Sequence, residues 1–247
     1  MLNYLIKGLW LIGLCYSVSG FSKSDTVILA TDDWQPYIVK GQPQQGEFAK
    51  IVIDVFNKIG MKTEFIYAPW KRVESIVNSG QAFAGIPYSY TDERAKTFDY
   101  SVPIMDSVYV FLYNKKLYPK GISYRELNEL AGYRIGGVTG YWYEGVFKQA
   151  GLNVEYVTND EQGIKKLYAG RIDLAATDQL VGRLLIKKLY PKETELFGEI
   201  EQPFAHQCLH LMVSRQYPNA AQLTQKFNSM FQKLYNKDQG CIREVRD

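Results

Sequence analysis

Apolar and polar positions alternate along the chain with two different periods. Val27-Ile28-Leu29-Ala30 is a short apolar run ending in polar Thr31-Asp32-Asp33, and it predicts a strand. After a loop rich in Gly, Gln and Pro, Phe48, Ile51, Val52, Val55, Phe56 and Ile59 recur at helical spacing. Gly60 stands where a helix of that length stops. Residues 63–67 alternate as a strand, Val73, Ile76 and Val77 carry a second helix up to Gly80, and residues 82–86 form a small-residue strand. This β-α-β-α-β order predicts a parallel sheet covered by helices.

The pattern then recurs. Residues 133–136 read as a strand, 143–150 as a helix, 153–157 as a strand, 160–169 as a helix, 172–176 as a strand and 179–188 as a helix. The segment Ser79-Gly80-Gln81-Ala82-Phe83-Ala84-Gly85 has its counterpart in Ala169-Gly170-Arg171-Ile172-Asp173-Leu174-Ala175. Two α/β units therefore lie in tandem. Between them, residues 107–113 alternate as a strand able to cross from one to the other. Residues 207–213 form another strand, and Pro218 opens a helix with Leu223, Phe227, Met230, Phe231 and Leu234 on one stripe. A tail this small cannot bury a core alone, so it is expected to return to the first unit. The chain then crosses twice, and two crossing strands make a hinge.

At 46% hydrophobic and 22% charged, the 247-residue chain is globular, and no internal apolar run is long enough to span a membrane. Its 29 basic and 26 acidic residues are interleaved, with no basic stripe for nucleic acid. Residues 1–20 differ: Lys7, an apolar run over 9–16 and Ser17-Val18-Ser19 read as a secretory signal cleaved near Ser19 or Gly20. Leu14 before Cys15 argues against a lipoprotein signal. The mature chain is expected to start near Phe21 and to work outside the cytoplasm. Cys208 and Cys241 remain as a candidate disulfide in that oxidising setting, or as two small buried residues that never meet.

Ligands of open parallel sheets bind beyond the carboxyl ends of the strands. Here those ends are 31–37, 68–70, 87–94, 139–142 and 176–178. They hold Trp34, Tyr37, Trp70, Tyr88, Tyr90, Tyr141 and Trp142, with Ser89, Thr91, Arg94, Thr177 and Asp178 among them. Seven aromatics at strand ends suit the lining of a cleft.

The residues Thr31…Pro36-Tyr37, Gly46, Ser79-Gly80, Ser89-Tyr90-Thr91-Asp92-Glu93-Arg94-Ala95…Phe98-Asp99-Tyr100-Ser101-Val102-Pro103, Leu127…Leu130-Ala131-Gly132-Tyr133-Arg134-Ile135-Gly136, Gly140 and Gly170-Arg171-Ile172-Asp173…Asp178 form an ordered series. In these residues the chain resembles the bacterial extracellular solute-binding proteins of family 3, over about residues 25–240. The resemblance implies a periplasmic binding protein-like α/β fold: two lobes, each with a mostly parallel sheet flanked by helices, joined by a two-strand hinge. The lobes would comprise 21–107 with 205–247, and 108–204. It implies a monomer that captures a small zwitterion, an amino acid, for an ABC importer. Arg94 would clamp the carboxylate, Asp178 the ammonium; Ser89 and Thr91 would assist, and Trp34 and Trp70 would sandwich the side chain. Tyr37, Tyr88, Tyr141 and Trp142 complete the expected lining. The sequence departs from the family at Pro87, at Tyr141-Trp142 and at Phe83.

Ordinary roles stand beside these. Arg94 could pair with Asp92, Glu93 or Asp99, Asp178 could cap the helix that follows, and Trp34 and Trp70 could be core residues. Gly136-Gly137-x-x-Gly140 lacks the full spacing of a dinucleotide loop, and His206 with His210 has no acidic or Cys cluster nearby, so neither a cofactor nor a metal is expected. The same fold could serve a membrane receptor as a sensor. It could also act as a dehydratase, with Glu47, Asp33 or Glu144 as its acid; a non-enzymatic role is the primary expectation.

Overall fold

A computed structural model gives the fold over residues 26–235. The expected signal segment and Cys241 lie outside the described residues; Cys208 is disulfide-bonded. The first unit runs β1 (Thr26–Thr31), α1 (Glu47–Lys58), β2 (Lys62–Tyr67), α2 (Trp70–Asn78), β3 (Ala84–Ser89), α3 (Asp92–Ala95) and β4 (Asp99–Tyr100), and β5 (Met105–Asn114) follows. The second runs β6 (Arg134–Val138), α4 (Glu144–Gln149), β7 (Asn153–Val157), α5 (Asp160–Tyr168), β8 (Leu174–Asp178) and α6 (Gln179–Leu189). The chain ends in β9 (Phe197–Glu199), β10 (Ala205–Val213) and α7 (Ala220–Leu234).

The strands join in the order β2-β1-β3-β10-β5-β8-β6-β7, with β4 beside β10 and β9 beside β5. β1 is parallel to β2 and β3, and β6 is parallel to β7 and β8. Among the strands of the described residues, antiparallel pairing enters through β5 and β10. β10 lies on β5 from Ala205 to Leu209 and on β3 from Leu209 to Val213. β5 lies on β10 from Met105 to Tyr109 and on β8 from Tyr109 to Tyr113. Each of these two strands thus belongs to both halves of the sheet, which is the expected pair of crossings.

The third strand of each unit begins later than the apolar pattern predicts, at Ala84 and at Leu174. Phe83 N donates to Ile28 O and Asp173 N to Arg134 O, both at 2.8 Å, and the Phe83 carbonyl accepts from Ser214 N at 2.9 Å just beyond β10. Their side chains are then used elsewhere. Phe83 packs edge-on against Phe56 at 6.0 Å, and Asp173 binds the Arg134 backbone and guanidinium. Pairing then begins in equivalent register, Leu29 with Ala84 and Ile135 with Leu174. The tandem repeat read from the sequence extends to the hydrogen-bond pattern.

The buried apolar residues form two clusters, a large one that includes the α1, α2 and α7 faces and a smaller one where Val110 and Leu112 of β5 pack with Ile164 and Leu167 of α5 and Ile186 of α6. α1 buries Phe48, Ala49, Val52, Val55 and Phe56, and its Phe56 meets Phe227 of α7 at 5.1 Å. Each such buried Phe is worth about 2–3 kcal/mol over exposure. Tyr235 donates to Asp54 at 3.0 Å, tying the end of α7 to α1. Among the described residues, no helix is long and apolar enough to cross a membrane.

Candidate functional site

The loops after β1, β2 and β3 meet those after β6 and β8, and their rings interlock. A cavity of about 30 Å³ lies between them, lined by Trp34, Trp70, Tyr88, Arg94, Tyr141 and Trp142 together with Pro87, Ser89, Tyr109, Gly140 and Leu209. It has room for about two waters. Outside it opens a cleft of about 600 Å³ that shares Arg94, Gly140, Tyr141 and Trp142 and adds Glu74, Thr91 and Glu144. A third space, about 140 Å³, lies against Trp34 and Trp70 and includes Asp32, Asp33, Asp160 and Glu161.

The first wall is a tight loop. Trp34 and Ile38 exchange backbone hydrogen bonds at 3.1 and 2.9 Å, which stacks the Trp34 ring on Tyr37 with centroids 4.6 Å apart. Gly46 lets the start of α1 close onto this loop: a Cβ there would lie 2.4 Å from the Tyr37 carbonyl oxygen. That carbonyl accepts from Phe48 and Ala49. Trp70 begins α2, and its carbonyl accepts from the Tyr88 hydroxyl at 3.0 Å. The Trp34 ring meets Trp70 edge-on at 6.0 Å, while its buried Nε1–H has no acceptor among the described residues.

Arg94 sits on α3, whose N-cap Thr91 accepts from the Arg94 backbone N–H at 3.1 Å. Its guanidinium lies 4.9 Å from the centre of the Tyr88 ring, a cation–π contact. All three of its nitrogens are engaged. Nε donates to Glu74 Oε1 at 2.9 Å, Nη1 to the Ser89 carbonyl at 3.3 Å and Nη2 to the Gly140 carbonyl at 2.6 Å. The ion pair is therefore made with Glu74, not with Asp92, Glu93 or Asp99. Glu93 pairs with Lys96 and Asp99 with Arg215.

Gly140 comes from the opposite half. It adopts φ +86°, a conformation that favours glycine, and a Cβ on it would stand a tight 3.1 Å from the Lys71 backbone nitrogen of α2. Its N–H donates to Glu144 at 2.5 Å. Tyr141 follows, its ring edge-on to Trp34 at 6.4 Å and to Trp70 at 6.2 Å. Its hydroxyl donates to Asp160 at 2.5 Å, and Thr177 donates to the other Asp160 oxygen at 2.8 Å. Burial pushes the Asp160 carboxyl up to about 6, against the opposing pull of these two hydroxyls.

Asp178 is fully buried at the end of β8. Its Oδ1 caps α6 by accepting from Val181 N at 3.0 Å. Its Oδ2 accepts from Ser107 at 2.6 Å and from Tyr37 at 3.1 Å. Burial is the largest influence and raises its pKa, while these bonds act against the rise. Burial, then the Asp178 charge, raises the Tyr37 phenol as well, so it stays a donor.

Of the expected site residues, Trp34, Trp70, Tyr88, Ser89, Arg94, Tyr141 and Trp142 converge on the small cavity, and Thr91 lines the outer cleft. Tyr37 and Asp178 stand behind the Trp34 ring, bonded to each other, and line neither space. Tyr90 faces the outer cleft. Asp33 is exposed and accepts from Lys40 N, Glu47 is exposed, and Glu144 is held by Gly140. Glu74, Tyr109 and Asp160 were not anticipated. Glu74 follows Trp70 by four residues, one helical turn, and Asp160 opens the helix after β7, whose carboxyl end the strand-end rule also covers.

The molecule has a periplasmic binding protein-like fold, with a mixed sheet flanked by helices. Solved structures of that fold include an ancestral arginine-binding protein bound to arginine, with TM-score 0.70 and 21% identity over 87% of this chain and 94% of that one. A histidine kinase sensor domain with similarity to periplasmic binding proteins matches with TM-score 0.74 and 17% identity, over 87% and 92%. The amino acid ABC transporter substrate-binding protein AbpA from Streptococcus pneumoniae, bound to L-arginine, matches with TM-score 0.70 and 20% identity, over 87% and 90%. No protein-family model matches the sequence, and no curated protein matches it.

Proposed function

We propose that the protein is a periplasmic solute-binding protein. It captures a small carboxylate-bearing ligand, with amino acids as the first candidates, by closing its two halves about β5 and β10, and it delivers that ligand to a membrane importer. The observation that carries the reading is the bond from Arg94 Nη2 to the Gly140 carbonyl across the cleft. Among the described residues, Arg94 is the one charged side chain lining the inner cavity, and a guanidinium edge suits the paired oxygens of a carboxylate. Opening the hinge withdraws Gly140 and frees that edge, and closing over a carboxylate refills it. The rings around it supply apolar area on both sides of a ligand. The solved structures of amino-acid-binding proteins with this fold support the same reading.

A micromolar Kd corresponds to about −8 kcal/mol, within reach of one clamped carboxylate with ring contacts. The test is a thermal-shift screen of the purified chain against the twenty L-amino acids and simple organic acids. A ligand at 100 times its Kd is expected to stabilise the protein by about 2.7 kcal/mol. A panel in which no carboxylate shifts the melting temperature overturns the proposal.

A further inference from the structure

We infer that Glu74 receives the ligand's ammonium group, so that a single half of the molecule holds the whole zwitterionic head. The inference rests on the solute-binding reading above. Two observations carry it. The first is that Asp178 is sealed: it is fully buried, both its oxygens hold hydrogen bonds from Ser107, Tyr37 and Val181, and it lines neither the cavity nor the cleft. An ammonium would have to displace the hydroxyls of Tyr37 and Ser107 or the Val181 N–H to bind it.

The second is the geometry of the Arg94–Glu74 pair. Glu74 lies on α2 one turn beyond Trp70 and lines the 600 Å³ cleft. Its side chain is 26% exposed, against 11% for Arg94. A single oxygen, Oε1, accepts from Arg94 Nε at 2.9 Å and stands 2.8 Å from Nη2. The guanidinium is thereby divided. Its Nε side belongs to Glu74, and its Nη2 also meets the Gly140 carbonyl, which comes from the other half. When the hinge opens, that carbonyl leaves, and a ligand carboxylate takes its place on Nη2. An ammonium one carbon away from that carboxylate then falls beside Glu74.

Charge balance points the same way. Arg94 and Glu74 together are neutral, so a zwitterion leaves the closed site neutral, whereas a simple anion would add an unpaired negative charge beside Glu74 in a partly buried place. The other acids of the cleft are poorer receivers. Glu144 is held by the Gly140 N–H, and Asp92 and Glu93 are exposed to water.

The experiment is calorimetric titration of the wild type, Glu74→Gln and Glu74→Asp. The probes are the tightest-binding of the twenty L-amino acids and its des-amino analogue. The wild type is expected to prefer the amino acid. Glu74→Gln is expected to lose about tenfold or more for the amino acid while binding the des-amino acid unchanged or more tightly, because one like charge is gone. Glu74→Asp is expected to restore part of the preference. If Glu74→Gln keeps the wild-type preference, or weakens both probes equally, the inference is wrong and the solute-binding reading stands. If the wild type binds none of the twenty, the amino-acid reading falls and takes this inference with it.

Discussion

The Tyr37 hydroxyl donates to Asp178 Oδ2 at 3.1 Å, joining a loop of the first half to the end of β8 in the second. The two residues are 141 positions apart, and the bond lies behind the stacked rings of Trp34 and Tyr37. Like the Arg94–Gly140 bond, it links residues of the two units beside the cavity of about 30 Å³.

Tyr37→Phe removes one of these two ties and leaves Asp178 with Ser107 and Val181. The expected loss of stability is about 0.5–1.5 kcal/mol, read from urea unfolding. Small-angle scattering of the ligand-free variant is expected to show a larger radius of gyration than the wild type. An unchanged radius would mean that the bond does not restrain the hinge.

All three tryptophans among the described residues, Trp34, Trp70 and Trp142, line the same cavity. Ligand entering between them must part the edge-on contacts of Trp34 and Trp70 with Tyr141. Intrinsic fluorescence is therefore expected to change on binding. The change is expected to shrink in Trp34→Phe, measured as the amplitude of the titration at saturation.

Asp160 makes stability depend on pH. Its carboxyl is raised from 3.8 to about 6 in the folded protein, chiefly by burial. The folded state thus holds its proton more tightly than the unfolded chain. The resulting stabilisation is fully present below about pH 3.8 and is lost as pH rises through about 6. At full effect the shift is worth about 3 kcal/mol. Asp160→Asn is expected to flatten this dependence, so that the wild type loses stability relative to the variant between pH 4.5 and 7.5 in urea unfolding. Parallel pH profiles would contradict the assignment.

Much of this was legible in residue order. The two periods located the longer helices and strands but not α3, β4 or β9, and the strand-end rule located Trp34, Trp70, Tyr88, Arg94, Tyr141 and Trp142, which meet at one cavity. The start of β3 and of β8 was not legible, because Phe83 and Asp173 continue the pattern while their side chains are recruited away from the ladder. Glu74 was missed because α2 is recognisable by its apolar face, and the cleft uses a polar position beside it. The Tyr37–Asp178 bond depends on how the two halves meet, which no local pattern encodes.

The most direct measurement is a calorimetric titration of wild type and Arg94→Ala with the amino acids that shift the melting temperature. At least one is expected to bind the wild type, and Arg94→Ala is expected to lose about 2–5 kcal/mol of that binding, roughly 30-fold or more. A variant that binds as the wild type does would show that Arg94 does not clamp the ligand, and would contradict the proposed function at its centre.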